Sequence, residues 1–214
     1  AIDEEIAVQE GGEKVSPKEW KQLLESEERP LLLDVRNTYE WEVGRFAWAE
    51  CPPCETFREF KNYAEELAKR VDPEKTPVMM YCTGGIRCEL YSSLLKKGGF
   101  EKVYQLDGGV IGYGLNEGGT HWLGKLFVFD DRLTVSVSSE EAPVIGTCKQ
   151  CGGSADTYYN CANVECNFLF VSCKTCSDRL NGCCCEDCQR APRVRPYHKD
   201  EAHKPFRKKH HYQL

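Results

Sequence analysis

The residue of this chain best suited to chemistry is Cys82. It ends the apolar run Val78-Met79-Met80-Tyr81 and opens Cys82-Thr83-Gly84-Gly85-Ile86-Arg87. The run reads as a buried strand, and Ile86 to Lys97 reads as a helix stopped by Gly98-Gly99. A cysteine between a strand end and a helix start sits where open α/β sheets bind ligands. Gly84 and Gly85 let the backbone N–H groups of the loop turn inward as an anion nest. The helix N-terminus adds positive potential and Arg87 adds a full charge. These features favour a thiolate over a thiol and make Cys82 a nucleophile or a group carrier. Thr83, Gly84, Gly85 and Ile86 form the loop, and Arg87 is its cation. Cys88, next in sequence, either resolves a persulfide or disulfide on Cys82 or packs inward as a small apolar residue.

A second chemistry is metal binding. Ten of the 14 cysteines lie between Cys148 and Cys188. Cys148-x-x-Cys151 and Cys173-x-x-Cys176 have zinc-knuckle spacing, Cys161 and Cys166 lie between them, and Cys183-Cys184-Cys185 with Cys188 follow. The expected sites are Cys148, Cys151, Cys173 and Cys176 for one ion, and Cys161, Cys166, Cys184 (or a neighbour, Cys183 or Cys185) and Cys188 for the other; sequential pairing is the alternative. Zinc ranks ahead of disulfides and iron–sulfur clusters, because the chain pairs a reactive thiol with no secretion signal. Thiolate-saturated zinc leaves no open position, so two structural ions are expected. Few aliphatic residues (Leu169, Val171, Leu180) lie in this stretch, so metal should supply much of its folding energy. Tyr158, Tyr159, Phe168 and Phe170 either face a partner or pack the module. Cys51-Pro52-Pro53-Cys54 is a further C-x-x-C without an assigned role. His121 and the tail histidines His198, His203, His210 and His211 read as non-ligands.

The positioning elements follow from local pattern. Ser16-Pro17-Lys18-Glu19 is a capping box with proline at the first helical position, leading into Trp20, Leu23 and Leu24 on one face. Leu31-Leu32-Leu33-Asp34-Val35 is a short buried strand. Phe57 to Val71 is a helix with Phe57, Phe60, Tyr63, Ala64, Leu67 and Ala68 on one stripe. Val103 to Leu106 is a third strand, closed by Asp107-Gly108-Gly109. Strands alternating with helices imply a parallel sheet. Leu126–Asp130 and Leu133–Val137 read as a hairpin turning through Asp131-Arg132.

These segments resemble the rhodanese family. Cys-x-x-Gly-x-Arg after an apolar strand is similar to its active loop; tyrosine phosphatases place the arginine six residues after the cysteine, whereas Arg87 follows Cys82 by five. Leu32-Leu33-Asp34-Val35-Arg36 with Glu40 and Gly44-Arg45-Phe46 resembles the family's opening strand and turn, and Leu106-Asp107-Gly108-Gly109-Val110 its later one. Asp34-Val35-Arg36-Asn37, Phe57-Arg58-Glu59-Phe60, Tyr81 through Glu89, Phe127-Val128-Phe129-Asp130 and Asn160-Cys161-Ala162-Asn163 with Cys166-Asn167 are together similar to the oxygen-dependent tRNA uridine hydroxylases, which make 5-hydroxyuridine at the wobble position. That resemblance implies an α/β fold with a parallel sheet flanked by helices, followed by a small cysteine-rich zinc-binding module. It implies that Cys82 is the essential thiol, with Asp34, Arg36 and Cys88 as auxiliaries and tRNA as partner. The family carries an extra N-terminal ferredoxin-like domain, so the chain reads as part of a longer protein. Two other functions stay open: sulfur transfer through a Cys82 persulfide from a sulfane-sulfur donor, and a non-catalytic interaction module.

The expected organisation is an N-terminal linker at 1–14, a rhodanese domain at 15–137, a linker at 138–143, the cysteine module at 144–188 and a basic tail at 189–214. In the tail, eight Lys/Arg face only Asp200 and Glu201, a surplus of six in a chain of net charge −6 that leaves about −12 on the rest. Such asymmetry suits either a nucleic-acid arm or a solvated tail. No apolar run is long enough to span a membrane. The cysteine usage suits a reducing compartment, the cytoplasm or alternatively a chloroplast-like organelle.

Overall fold

A computed structural model of the chain describes residues 11–54, 56–130 and 132–199. The chain forms two units: Ala1–Leu126 with Ser136–Ala142, and Phe127–Val135 with Pro143–Leu214. Residues 1–10 of the expected linker at 1–14, Asp131 of the expected turn and the tail from Asp200 onward lie outside the described residues.

The first unit is built on a four-stranded parallel sheet. Its strands are β1 (Glu13–Val15), β2 (Leu31–Asp34), β4 (Val78–Tyr81) and β5 (Val103–Leu106), in the order β1-β5-β4-β2. Between and after them run α1 (Pro17–Leu24), α2 (Thr38–Val43), β3 (Gly44–Phe46), α3 (Phe57–Arg70), α4 (Ile86–Lys97), α5 (Gly109–Glu117) and β6 (Trp122–Gly124), with β3 and β6 paired antiparallel. Glu13 and Lys14 belong to an edge strand rather than to a linker. Only Val15 of its three residues is buried, so no alternation announces it.

Period-two alternation sorts the side chains of β4. Val78, Met80 and Cys82 join Leu33, Phe60, Leu67, Leu95 and Phe100 in the core beneath α3 and α4, which pack together. Tyr81 points the other way, edge-on to Phe46 with centroids 4.9 Å apart, and Phe46 meets Tyr113 of α5 at the same distance. Trp20 of α1 closes this aromatic core and is fully buried. Helix starts are fixed as the capping pattern predicts: the Glu19 N–H donates to Ser16 Oγ at 3.3 Å and the Ser16 N–H to Glu19 Oε2 at 2.9 Å. Such a cap stabilises its helix by about 1 kcal/mol. Thr56 and Glu59 repeat the arrangement at α3.

The second unit holds Phe127 of β7 (Leu126–Phe127), which pairs with β8 (Thr134–Val135), the antiparallel pair β9 (Tyr158–Asn160) and β10 (Leu169–Val171), α6 (Lys174–Arg179) and α7 (Glu186–Gln189). The expected hairpin is present, but each strand is two residues long. Tyr159, Cys161, Phe170, Leu180 and Cys183 form its small core. Among the described residues no helix is long and apolar enough to cross a membrane.

Candidate functional site

Cys82 lies one residue past the end of β4 and is 2% exposed. Gly85 takes a left-handed φ of 94° that a side chain would resist, and this turns its N–H onto Cys82 Sγ at 3.1 Å. The sulfur also faces the side chain of Cys88 and the amides of Arg87 and Cys88, in the first turn of α4. The Cys88 hydrogen bond lowers the Cys82 pKa most; burial opposes it, and the Arg87 charge and the two amides add to the lowering, to about 5. Cys88 is itself buried, and burial together with its bond to Cys82 pushes its pKa well up. One thiol is thus held as an anion by a neighbour held as a donor.

The other wall of the loop is α5. The Val110 N–H donates to the Cys82 carbonyl at 3.0 Å and the Ile111 N–H to the Thr83 carbonyl at 3.1 Å. This approach needs glycine at 109, where φ is 60° and a Cβ would lie 2.6 Å from the Cys82 and Thr83 carbonyl oxygens. Gly84 has open space around it. Two helix N-termini, of α4 and α5, therefore converge on the thiolate loop.

Arg87 does not point freely into the site. Its Nη1 donates to Glu40 Oε2 at 2.7 Å and its Nη2 to Glu40 Oε1 at 2.9 Å, with a further bond to Thr83 Oγ1 at 3.2 Å. Thr83 Oγ1 in turn donates to Glu40 Oε1 at 3.0 Å, and the Asn37 N–H and Nδ2 cap Glu40 Oε2. Burial raises the Glu40 pKa, but hydrogen bonds and charge from Arg87, with Arg36, overcome it and hold the carboxyl below its usual range. The sequence marks Glu40 only as part of a motif. Its spacing from Asn37 signals a capping box, while its contact with Arg87 depends on the fold.

Asp34 and Arg36 lie behind the loop as a fully buried pair. Arg36 Nε donates to Asp34 Oδ1 at 2.8 Å and Nη2 to Oδ2 at 2.6 Å. The Tyr81 hydroxyl donates to Asp34 Oδ2 at 2.7 Å, and Arg36 also bonds the Gly44 carbonyl. The pair ties β2, β4 and the start of β3 together. Cys51 is half-buried; burial raises its pKa to about 11, and Cys54 shifts the same way. His121 pairs with Glu25 at 2.9 Å.

In the second unit the sulfurs of Cys148, Cys151, Cys173 and Cys176 form one group, and those of Cys161, Cys166, Cys184 and Cys188 another; within each, all lie within 4.8 Å of one another. Cys184 is the member of its triplet that joins a group, while Cys183 turns into the small core. Sulfur–sulfur distances are 3.8 Å for Cys151–Cys173, 3.8 Å for Cys166–Cys184 and 3.7 Å for Cys184–Cys188. Tyr158, Tyr159 and Phe170 are buried and pack the unit; of the four aromatics only Phe168 is half-exposed, with Lys149 Nζ 5.0 Å from its ring centre. Arg190 pairs with Asp187 at 2.8 Å, and Arg195 bonds the Cys161 carbonyl and Asn167 Oδ1, both at 3.0 Å. These described cations of the basic tail are engaged locally.

Comparison with known proteins gives two family matches: Rhodanese-like domain over residues 16–114 and Rhodanase C-terminal over residues 123–189. A tRNA uridine(34) hydroxylase of Protochlamydia amoebophila is 68% identical over 99% of this chain, which covers 66% of that protein. Proteins of the same name from Chlamydia felis (54% identical, 98% of this chain, 65% of that protein) and Chlamydia trachomatis (56%, 93% and 61%) also match. The chain thus spans about two thirds of the length of these relatives. Among solved structures, a rhodanese-like domain from Anabaena sp. aligns with 62% of this chain and 91% of its own at 19% identity and a TM-score of 0.43.

Proposed function

Because the chain belongs to the rhodanese-domain family, in the branch that joins a Rhodanese-like domain to a Rhodanase C-terminal segment, we propose that it is the thiol-bearing part of a tRNA uridine hydroxylase acting at the wobble position. The observation that carries this reading is the Cys82 thiolate in an intact loop, in a chain 68% identical to a protein of that name. Cys82 is the reactive group. The Gly85, Arg87 and Cys88 amides and the Cys88 thiol hold it ionised, and Glu40 fixes the loop by gripping Arg87 and Thr83. Asp34, Arg36 and Tyr81 brace the strand ends beneath it.

The two cysteine groups fit zinc. Tetrahedral zinc with Zn–S bonds of about 2.3 Å places its sulfurs about 3.8 Å apart, as the 3.7–3.8 Å separations here do. Four sulfurs at each site leave no place for substrate, so zinc would supply folding energy and hold the cysteine-rich unit in shape. Sulfur transfer from a sulfane-sulfur donor through a Cys82 persulfide is the second reading, favoured by the Rhodanese-like domain match over the loop.

The test compares wobble 5-hydroxyuridine in tRNA from cells lacking the protein, complemented by full-length wild type or by Cys82→Ser. Restoration by wild type alone is expected. Unchanged 5-hydroxyuridine in the deletion overturns the hydroxylase reading and leaves sulfur transfer.

A further inference from the structure

The two helices that start at the Cys82 loop carry apolar side chains that are exposed among the described residues. Ile86, the first residue of α4, is 83% exposed. On α5, Ile111 is 47% and Leu115 83% exposed, and their i, i+4 spacing puts them on one face. Among the described residues of this unit, three of the five exposed large apolar residues therefore sit on the two helices that meet at the thiolate; the others are Trp48 and Leu123. The helices abut at the loop itself. The Ile111 N–H bonds the Thr83 carbonyl, and a Cβ on Gly85 would lie 3.8 Å from the amides of Gly108 and Gly109. Over Gly84 the rim is open.

The charge of the site narrows what the rim receives. Both terminal nitrogens of Arg87 are already bonded to the Glu40 carboxylate, which partly balances the charge that would draw a phosphate or other dianion. What remains is an aliphatic rim, an open loop backbone with inward amides, and a thiolate at the floor. That combination suits a flat, uncharged ring with polar edges. Solvent-exposed aliphatic side chains continuous with a reactive centre gain most by covering such a ring's faces.

We infer that Ile86, Ile111 and Leu115 form the seat for an unstacked pyrimidine base of RNA, delivering its edge to Cys82. The inference rests on the hydroxylase reading, since a base modified on its ring must leave its stack to reach a loop thiol. The rim residues set binding and orientation. They touch the base and take no proton from it.

The probe is an anticodon stem-loop RNA with uridine at the wobble position, offered to full-length purified protein while iodoacetamide alkylates Cys82. Wild type should be protected by this RNA, and protection should fall when the uridine is replaced by an abasic residue. Ile111→Ser combined with Leu115→Ser should weaken protection by roughly tenfold or more, each variant's protection being read as a ratio to its own alkylation rate without RNA. Leu123→Ser, on β6, should protect like wild type. Equal protection by the rim variant, or by the abasic RNA, overturns the inference. So does protection by a sulfane-donor protein in place of RNA, which would make the rim a protein dock. The two readings separate in cells. If wild type and the rim variant restore 5-hydroxyuridine equally, the seat falls and the hydroxylase reading stands; if wild type restores none, the hydroxylase reading falls and the seat with it.

Discussion

Glu40, with no exposed surface, takes both terminal nitrogens of Arg87, at 2.7 and 2.9 Å, across 47 residues of sequence. The pair joins α2 to the first turn of α4 and fixes the wall of the thiolate loop. Arg87 therefore acts on Cys82 first through its charge, which Glu40 partly balances, and then through its amide, which the pair holds in position.

Glu40→Ala should leave Arg87 half-buried and without its carboxylate. Breaking a buried pair from one side costs about 3 kcal/mol, so urea unfolding should show a loss of that order, with 5-hydroxyuridine formation falling in parallel. The pH dependence has a definite sign. The folded Glu40 pKa is depressed, so its stabilisation is present above the ordinary carboxylate pKa and is lost as pH falls through the lower folded value. Acid unfolding of Glu40→Gln should therefore lack that component. An unchanged acid limb would show that the pair does not hold the loop.

Cys82 should react as a thiolate well below neutrality. Its alkylation rate should rise with pH around a midpoint near the folded pKa of about 5. Cys88→Ala removes the largest lowering influence and should move the midpoint up toward the ordinary thiol value of about 8.5. Linkage gives the matching stability trend. A thiol depressed on folding stabilises the fold fully above its unfolded pKa, and that contribution fades as pH drops toward about 5. A Cys88→Ala midpoint equal to wild type would remove Cys88 from this role.

The position of Cys82 was legible because an apolar run, two glycines and a helix stopped by a glycine pair follow one another, and each signal is local. The zinc-type groups were legible for the same reason, since knuckle spacing is short-range. Which of Cys183, Cys184 and Cys185 joins the second group was not legible, because that depends on how the chain turns after Leu180 and sends Cys183 into the core. The Glu40–Arg87 contact escaped because only the parallel β2–β4 pairing brings their segments together. Helix α5 escaped because Gly109, Gly112 and Gly114 are poor helix formers, and its reward is packing on the loop rather than propensity. Three of the four aromatics read as a partner surface or module packing proved to be packing, which periodicity over so short a β-pair does not separate.

Gly109→Ala tests whether α5 must touch the loop. A Cβ there would press on the Cys82 and Thr83 carbonyls at 2.6 Å and the Gly84 nitrogen at 2.7 Å, at a φ that alanine resists. The loop or the helix must shift by several tenths of an ångström. Displacements approaching 1 Å at a reacting group can cost roughly a hundredfold in rate. Restored 5-hydroxyuridine should drop strongly, while urea stability falls by only about 1–3 kcal/mol. A variant that modifies tRNA at the wild-type level would mean that the α5 contact does not position Cys82.

Metal content gives the sharpest test of the second unit. Two four-sulfur groups predict two zinc ions per chain. Cobalt substitution should give the absorption of tetrahedral thiolate sites, which requires a four-sulfur cage rather than disulfides. Cys184→Ser removes a member of the second group and should reduce the content to one ion, whereas Cys185→Ser, outside both groups, should leave two. Chelation should unfold this unit, because the cluster of Tyr159, Phe170 and Leu180 is too small to replace metal–ligand bonds that supply roughly 10 kcal/mol or more per site. The far-ultraviolet signal of the parallel-sheet unit should survive the same treatment if that unit folds on its own core. Loss of both ions in Cys185→Ser, or two ions retained in Cys184→Ser, would refute the assignment of Cys184 as the ligand.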